Sequence, residues 1–140
     1  MGKILCATRG GEGSQRSQES VIALAKKRGD ELVFVFVADV SFLNQTAAPL
    51  VVDVELRLEQ MGHFELARAK ERAAAHGVEA QTVVRRGRLR LELAAAAREM
   101  DATLIVLGRP LGQTAVFEEE TLQAFAAALL AETGIEVRVV

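Results

Sequence analysis

The residues Asp101 to Gly112 (DATLIVLGRPLG) join an apolar strand to a glycine turn, and a helix opened by Phe117, Glu118, Glu119, Glu120 and Thr121 follows. A strand, a turn and a helix N-terminus in that order are where open α/β sheets hold anionic ligands, because unpaired backbone N–H groups and the positive end of the helix dipole converge there. The residues present alter that chemistry. Pro110 removes an N–H donor from the turn, and three consecutive carboxylates stand where a phosphate needs positive potential. Arg9, Arg85, Arg86, Arg88 and Arg109 fall at or just after the ends of apolar runs, where forked guanidinium hydrogen bonds suit a small anion or a phosphorylated metabolite. The competing arrangement pairs Arg9 or Arg109 with Glu118 to Glu120 and fills the same space from within. It is preferred, since carboxylates are already welcome at a helix N-terminus.

Other groups with chemical potential reduce to plainer roles. Glu55, Glu59 and His63 are spaced four apart and share a helix face, a spacing that can ligate a divalent metal but far more often makes a solvated polar stripe. Cys6 is the sole cysteine, so no internal disulfide forms, and its place between Leu5 and Ala7 in an apolar run reads as a small buried hydrophobe. His76 precedes Gly77 at a helix end, where a cation favours the dipole. The Gly10-Gly11-Glu12-Gly13 turn does not fit the spacing of a dinucleotide-binding loop. No Ser-His-Asp set, carboxylate pair or G-x-x-x-x-G-K-[ST] loop can be assembled, so catalysis has no candidate residues and the chain is expected not to be an enzyme.

These residues must be positioned by a small scaffold. The 140 residues, half of them apolar, suit one domain over 1–140 that buries roughly two-thirds of the surface its unfolded form exposes. A net charge of -2 with mixed signs gives no field for collecting nucleic acid, and no apolar run is long enough to cross a bilayer. The first residues, MGKILCATRGG, lack the apolar core of an export signal, so a cytoplasmic location is expected.

Lys3 to Thr8 reads as a strand closed by a glycine-rich turn, after which Ser14 or Ser17 can cap a helix running to Gly29. Glu31 to Ala38 (ELVFVFVA) is β-branched, aromatic and nearly uncharged, as a strand covered on both faces requires. Ser41 to Pro49 reads as a loop. From about Val51 to His76, Leu58, Met61, Gly62, Leu66, Ala69 and Ala73 recur at helical steps. Val78 to Val84 is the next strand, and Leu89, Leu93, Ala94 and Ala97 mark the following helix. Thr103 to Leu107 is another continuous apolar strand, Leu122, Phe125, Ala126 and Leu129 line a last helix, and Ile135 to Val140 closes the chain as a strand. The order β-α-β-α-β-α-β-α-β requires a doubly wound α/β fold: a parallel five-stranded sheet with helices on both faces. Leu32 to Val37 and Thr103 to Leu107 should then be almost fully buried.

With the elements in this order, the chain resembles the universal stress proteins across almost its whole length. KILCATRGGEGS is similar to that family's first strand and Asp-Gly-Ser turn, ELVFVFVAD to its second strand, and VVRRGRLRLELAAAAREMDATLIVLGR to its third strand, helix and fourth strand without a gap. The resemblance implies a sheet of order 3-2-1-4-5, a cleft between strands 1 and 4, and a homodimer. In nucleotide-binding members an Asp after strand 1 contacts adenine, a G-x-x-G turn follows strand 4, and a Gly-Ser or Gly-Thr pair nine residues later grips the phosphates. Here the Asp position is Arg9, the first turn-glycine position is Gly108 and the second is taken by Leu111 with Gly112 one place late, and the phosphate pair falls on Glu120-Thr121 or Thr121-Leu122.

Each departure removes a physical element of the nucleotide site. Arg9 cannot accept a hydrogen bond from an exocyclic amine, and Leu111 places a Cβ where backbone must approach a phosphate. The cleft residues implied are Arg9, Gly10, Ala38, Gly108, Arg109, Gly112, Gln113 and Thr121. The expected function is a dimeric stress module that does not use ATP, needs no cofactor or metal, and acts through an unidentified protein partner. The alternative is an adenine nucleotide or a small anion held in the altered cleft. The terminal strand, Ile135 to Val140, leaves an open edge and is the expected surface for the homodimer, with Arg138 setting register.

Overall fold

Apolar runs without alternation need cover on both faces, and the computed structural model, which describes residues 2–8, 11–39, 48–108 and 115–140 with the side chains of 11–14, 48–53 and 115–120 excepted, supplies it. The elements are β1 (Lys3–Ala7), α1 (Gly11–Arg28), β2 (Glu31–Ala38), α2 (Ala48–Ala75), β3 (Ala80–Arg86), α3 (Leu89–Glu99), β4 (Leu104–Leu107), α4 (Ala115–Thr133) and β5 (Glu136–Val139). The strands form one sheet of order β3-β2-β1-β4-β5. All four pairings are parallel, with Cys6 opposite both Phe34 and Val106 at the centre.

Two apolar cores follow from strand alternation. On one face Ile4, Cys6, Leu32, Phe34, Phe36, Leu104 and Val106 pack with Val21, Ile22 and Ala25 of α1 and Leu66, Ala69 and Ala73 of α2. On the other, Leu5, Val33, Val35, Ile105 and Leu107 pack with Leu93, Ala94, Ala96 and Ala97 of α3 and Ala126 and Leu129 of α4. Leu32 to Phe36 and Leu104 to Leu107 are buried as expected, but Val37 is only half-buried and Thr103 is exposed. Thr103 lies one residue before β4. Its hydroxyl accepts from the Lys3 N–H at 3.0 Å and donates to the Lys3 carbonyl at 3.1 Å, fastening the start of β1.

The helix boundaries correct the propensity reading in three places. α1 starts at Gly11, ahead of Ser14 and Ser17, and Ser17 and Gln18 are buried polar residues within it rather than caps. α2 starts at Ala48, with Pro49 in the first turn, where a missing N–H leaves no helical bond unmade. β3 runs Ala80–Arg86 rather than from Val78, because Val78 N–H still serves the helix end. It donates to the Ala73 carbonyl at 2.9 Å while Gly77 N–H donates to Ala74 at 3.0 Å, a closure that needs the positive φ of 78° at Gly77.

Candidate functional site

In a 3-2-1-4-5 sheet the connections from β1 and β4 leave in opposite directions, so a cleft opens between their carboxyl ends. Thr8 and Gly108 stand at that point, each the first residue past its strand. Thr8 is 3% exposed; its N–H donates to the Val35 carbonyl at 2.8 Å, but among the described residues its hydroxyl has no oxygen or nitrogen partner. The Cys6 thiol bears on it, yet a thiol is a weak partner. A buried hydroxyl left in this state costs about 1–3 kcal/mol. Burial pushes the Cys6 thiol itself up to about 12, which removes it as a nucleophile or metal ligand at neutral pH.

Gly108 is held against α1. A Cβ there would overlap Ser17 Oγ and lie 3.0 Å from Ser17 Cβ, so only glycine lets the end of β4 approach the helix so closely. Next to Ser17, the buried Gln18 accepts a hydrogen bond from Arg72 Nη1 at 2.5 Å, tying α1 to α2. Ala38, at the end of β2, is fully buried, and its carbonyl accepts from Gly87 N–H at 3.2 Å. Thr121 is exposed on α4. Arg9, Gly10, Arg109, Leu111, Gly112 and Gln113 lie outside the described residues, as do the side chains of Glu118 to Glu120.

Two of the five arginines are diverted away from the cleft. Arg85 and Arg86 are the last residues of β3, an edge strand, and alternation sends them to opposite faces. Arg85 donates from Nε to Glu92 at 2.9 Å and from Nη1 to Glu99 at 2.8 Å, both on α3. Arg86 reaches α2, donating from Nε to Glu59 Oε1 and from Nη2 to Glu59 Oε2 at 2.6 Å, with Glu55 3.7 Å from Nη1. Glu55 and Glu59 therefore both face the Arg86 guanidinium. Among the described residues no group of three or more His, Cys, Asp or Glu is arranged to hold a metal.

The bidentate bond from Arg86 holds the Glu59 carboxyl below its usual range, and Arg85 does the same for Glu99. A carboxyl whose native pKa is lowered stabilises the fold fully above its unfolded pKa, about 4.3, and loses that contribution as pH falls through the lowered native value. Urea unfolding should thus show Arg86→Met less stable than the wild type at pH 7. The gap should shrink steadily below about pH 4.3; a gap that is constant down to pH 2 would contradict this origin.

Sequence reasoning missed Thr8, whose hydroxyl at the end of an apolar run was the available signal. It also missed the cap of α3. Arg88 precedes that helix without a side-chain cap, and Asp39 Oδ2, from the end of β2, accepts the Leu89 N–H at 2.9 Å instead. A carboxylate of the chain itself thus occupies one helix N-terminus on the carboxyl side of the sheet.

Comparison with known proteins agrees with this architecture. Among curated proteins no match is found. Among solved structures, a protein of the universal stress protein family from Burkholderia pseudomallei is similar at 23% identity and TM-score 0.74, over 99% of this chain and 95% of the other. The universal stress protein UspA from Lactobacillus plantarum superposes with TM-score 0.82 at 13% identity, over 99% and 97% of the two chains. A family protein from Arabidopsis thaliana with AMP bound superposes with TM-score 0.67 at 12% identity, over 100% and 91%. Among the described residues no helix is long and apolar enough to cross a membrane. A profile of the universal stress protein family matches residues 1–111, which include β1 through β4. The chain belongs to the universal stress protein family.

Proposed function

We propose that this chain is a homodimeric universal stress module that acts in the stress response through protein contacts, without binding ATP and without catalysis or a cofactor. One observation carries the reading: an intact 3-2-1-4-5 fold is combined with a switch point whose ligand-contacting residue types have changed. Arg9 stands where an adenine acceptor is needed, Leu111 where glycine lets backbone reach a phosphate, and Glu118 to Glu120 occupy the first turns of α4. Two unit charges roughly 5 Å apart at an effective dielectric of about 20 repel by about 3 kcal/mol, on the order of a hundredfold in affinity. A cytoplasmic location belongs to the same reading. Native mass spectrometry of freshly purified protein tests it, with a dimer free of nucleotide expected and a retained nucleotide overturning it.

A second reading keeps the cleft in use for an adenine nucleotide or a small anion. It is favoured by the unpartnered, buried Thr8 hydroxyl at the switch point and by the AMP bound to the Arabidopsis relative. An ordered phosphate or sulfate between Arg9 and Arg109 in a crystal would support it over the first.

The homodimer rests on β5, a sheet edge. Val140 N–H donates inward to the Leu107 carbonyl at 2.9 Å, so by alternation the N–H and C=O of Val137 and Val139 face the open edge. Val137→Pro removes an outward donor and leaves the pairing with β4 alone. Sedimentation should show a dimer at micromolar concentration for the wild type and a folded monomer for Val137→Pro. A wild-type monomer would overturn the assignment.

A further inference from the structure

We propose that the β5-to-β5 homodimer adopts a single antiparallel register, centred on Val137 and selected by reciprocal Glu136–Arg138 pairs across the two-fold axis. The proposal rests on the homodimer reading above and adds what fixes its geometry. β5 is an edge strand whose two faces differ. Ile135, Val137 and Val139 pack, half-buried, on the α3 and α4 side. Glu136 and Arg138 alternate with them on the other face, with side chains 59% and 40% exposed and a mutual contact of only 3.5 Å. Two neighbours of opposite charge on one strand face can each meet the other in a reversed copy.

Only one register uses this. Antiparallel partners directly opposite share a face, so a one-residue slip would set an apolar side chain against a charged one and is excluded. With Val137 on the axis, Glu136 faces Arg138 of the copy and Arg138 faces its Glu136, while Ile135 faces Val139 twice and Val137 meets itself. A shift of two residues one way sets Arg138 against Arg138, and the other way sets Glu136 against Glu136. Since the backbone groups of Val137 and Val139 face outward, Val137 makes the hydrogen-bonded pair. Glu136 and Arg138 then fall at the non-hydrogen-bonded position, where opposing side chains lie closest.

The other edge is a poorer candidate. The charges at the end of β3, Arg85 and Arg86, are of one sign and already bound to glutamates of α3 and α2. Edge-to-edge pairing of β3 would gain no cross-strand charge pair.

The test uses full-length protein and sedimentation to measure dimer dissociation. Arg138→Glu should weaken the dimer at least about tenfold, and Glu136→Arg combined with Arg138→Glu should restore it to within about threefold of the wild type. Cys6 is the sole cysteine and fully buried, so an added thiol reports alone. Val137→Cys should form an interchain disulfide under mild oxidation and Arg138→Cys should not. A wild-type dimer in which the charge swap fails to restore association, or in which Arg138→Cys links and Val137→Cys does not, overturns the register while leaving the homodimer standing. A wild-type monomer overturns both.

Discussion

A variant carrying Arg9→Asp, Leu111→Gly and Glu120→Gly is expected to bind ATP at least weakly in calorimetry, where the wild type shows no binding with ligand in the millimolar range. Each change restores one physical element. Aspartate returns an acceptor for an exocyclic amine after β1, Leu111→Gly removes the Cβ that keeps backbone from a phosphate, and Glu120→Gly removes a like charge from the start of α4. The charge term alone is on the order of a hundredfold in affinity. Because the fold already presents its switch point between β1 and β4, no rearrangement of the sheet is required. Tight ATP binding by the wild type would refute the proposed function. Absence of binding by the variant would instead show that the remaining differences, Pro110 first among them, are enough to abolish the site.

The second large effect is on stability. Phe34→Ala is expected to cost about 3–5 kcal/mol, a substantial share of the 5–15 kcal/mol typical of a domain. Phe34 lies in β2 with no exposure, in a core shared with Ile4, Cys6, Ile22 and Leu66, so its removal leaves a void among buried apolar side chains. Val37→Ala, at the half-buried end of the same strand, should cost clearly less. Urea unfolding at pH 7 measures both, and equal losses for the two would mean that β2 is not the packed centre of the sheet.

Much of the fold was legible because its local and tertiary demands agree. ELVFVFVA spans β2 with the bounds its composition suggests, since a strand covered on both faces admits no polar interruption. The turn at Gly77 was legible for the same reason: a positive φ selects glycine at the spot where the apolar helical repeat ends. What stayed hidden depends on partners distant in the chain. Arg85 and Arg86 look like other arginines at a strand end until α3 and α2 bring Glu99 and Glu59 to them. Asp39 caps a helix that begins fifty residues later, outside any local pattern. A threonine closing an apolar run marks a position worth noting, but whether its hydroxyl is wetted or, like that of Thr8, enclosed depends on packing from elsewhere in the chain.

The arginine clamps on β3 bear on how large an assembly this chain can form. When two copies join at β5, both free ends of the combined sheet are β3 strands, each bounded by guanidinium groups fixed to helices above and below. An edge flanked by fixed charge is a poor template for another strand. In the proposed dimer, therefore, the same ion pairs that anchor the outermost strand would disfavour further growth at β3 and with it extension of a chain rich in buried β-branched residues into a filament.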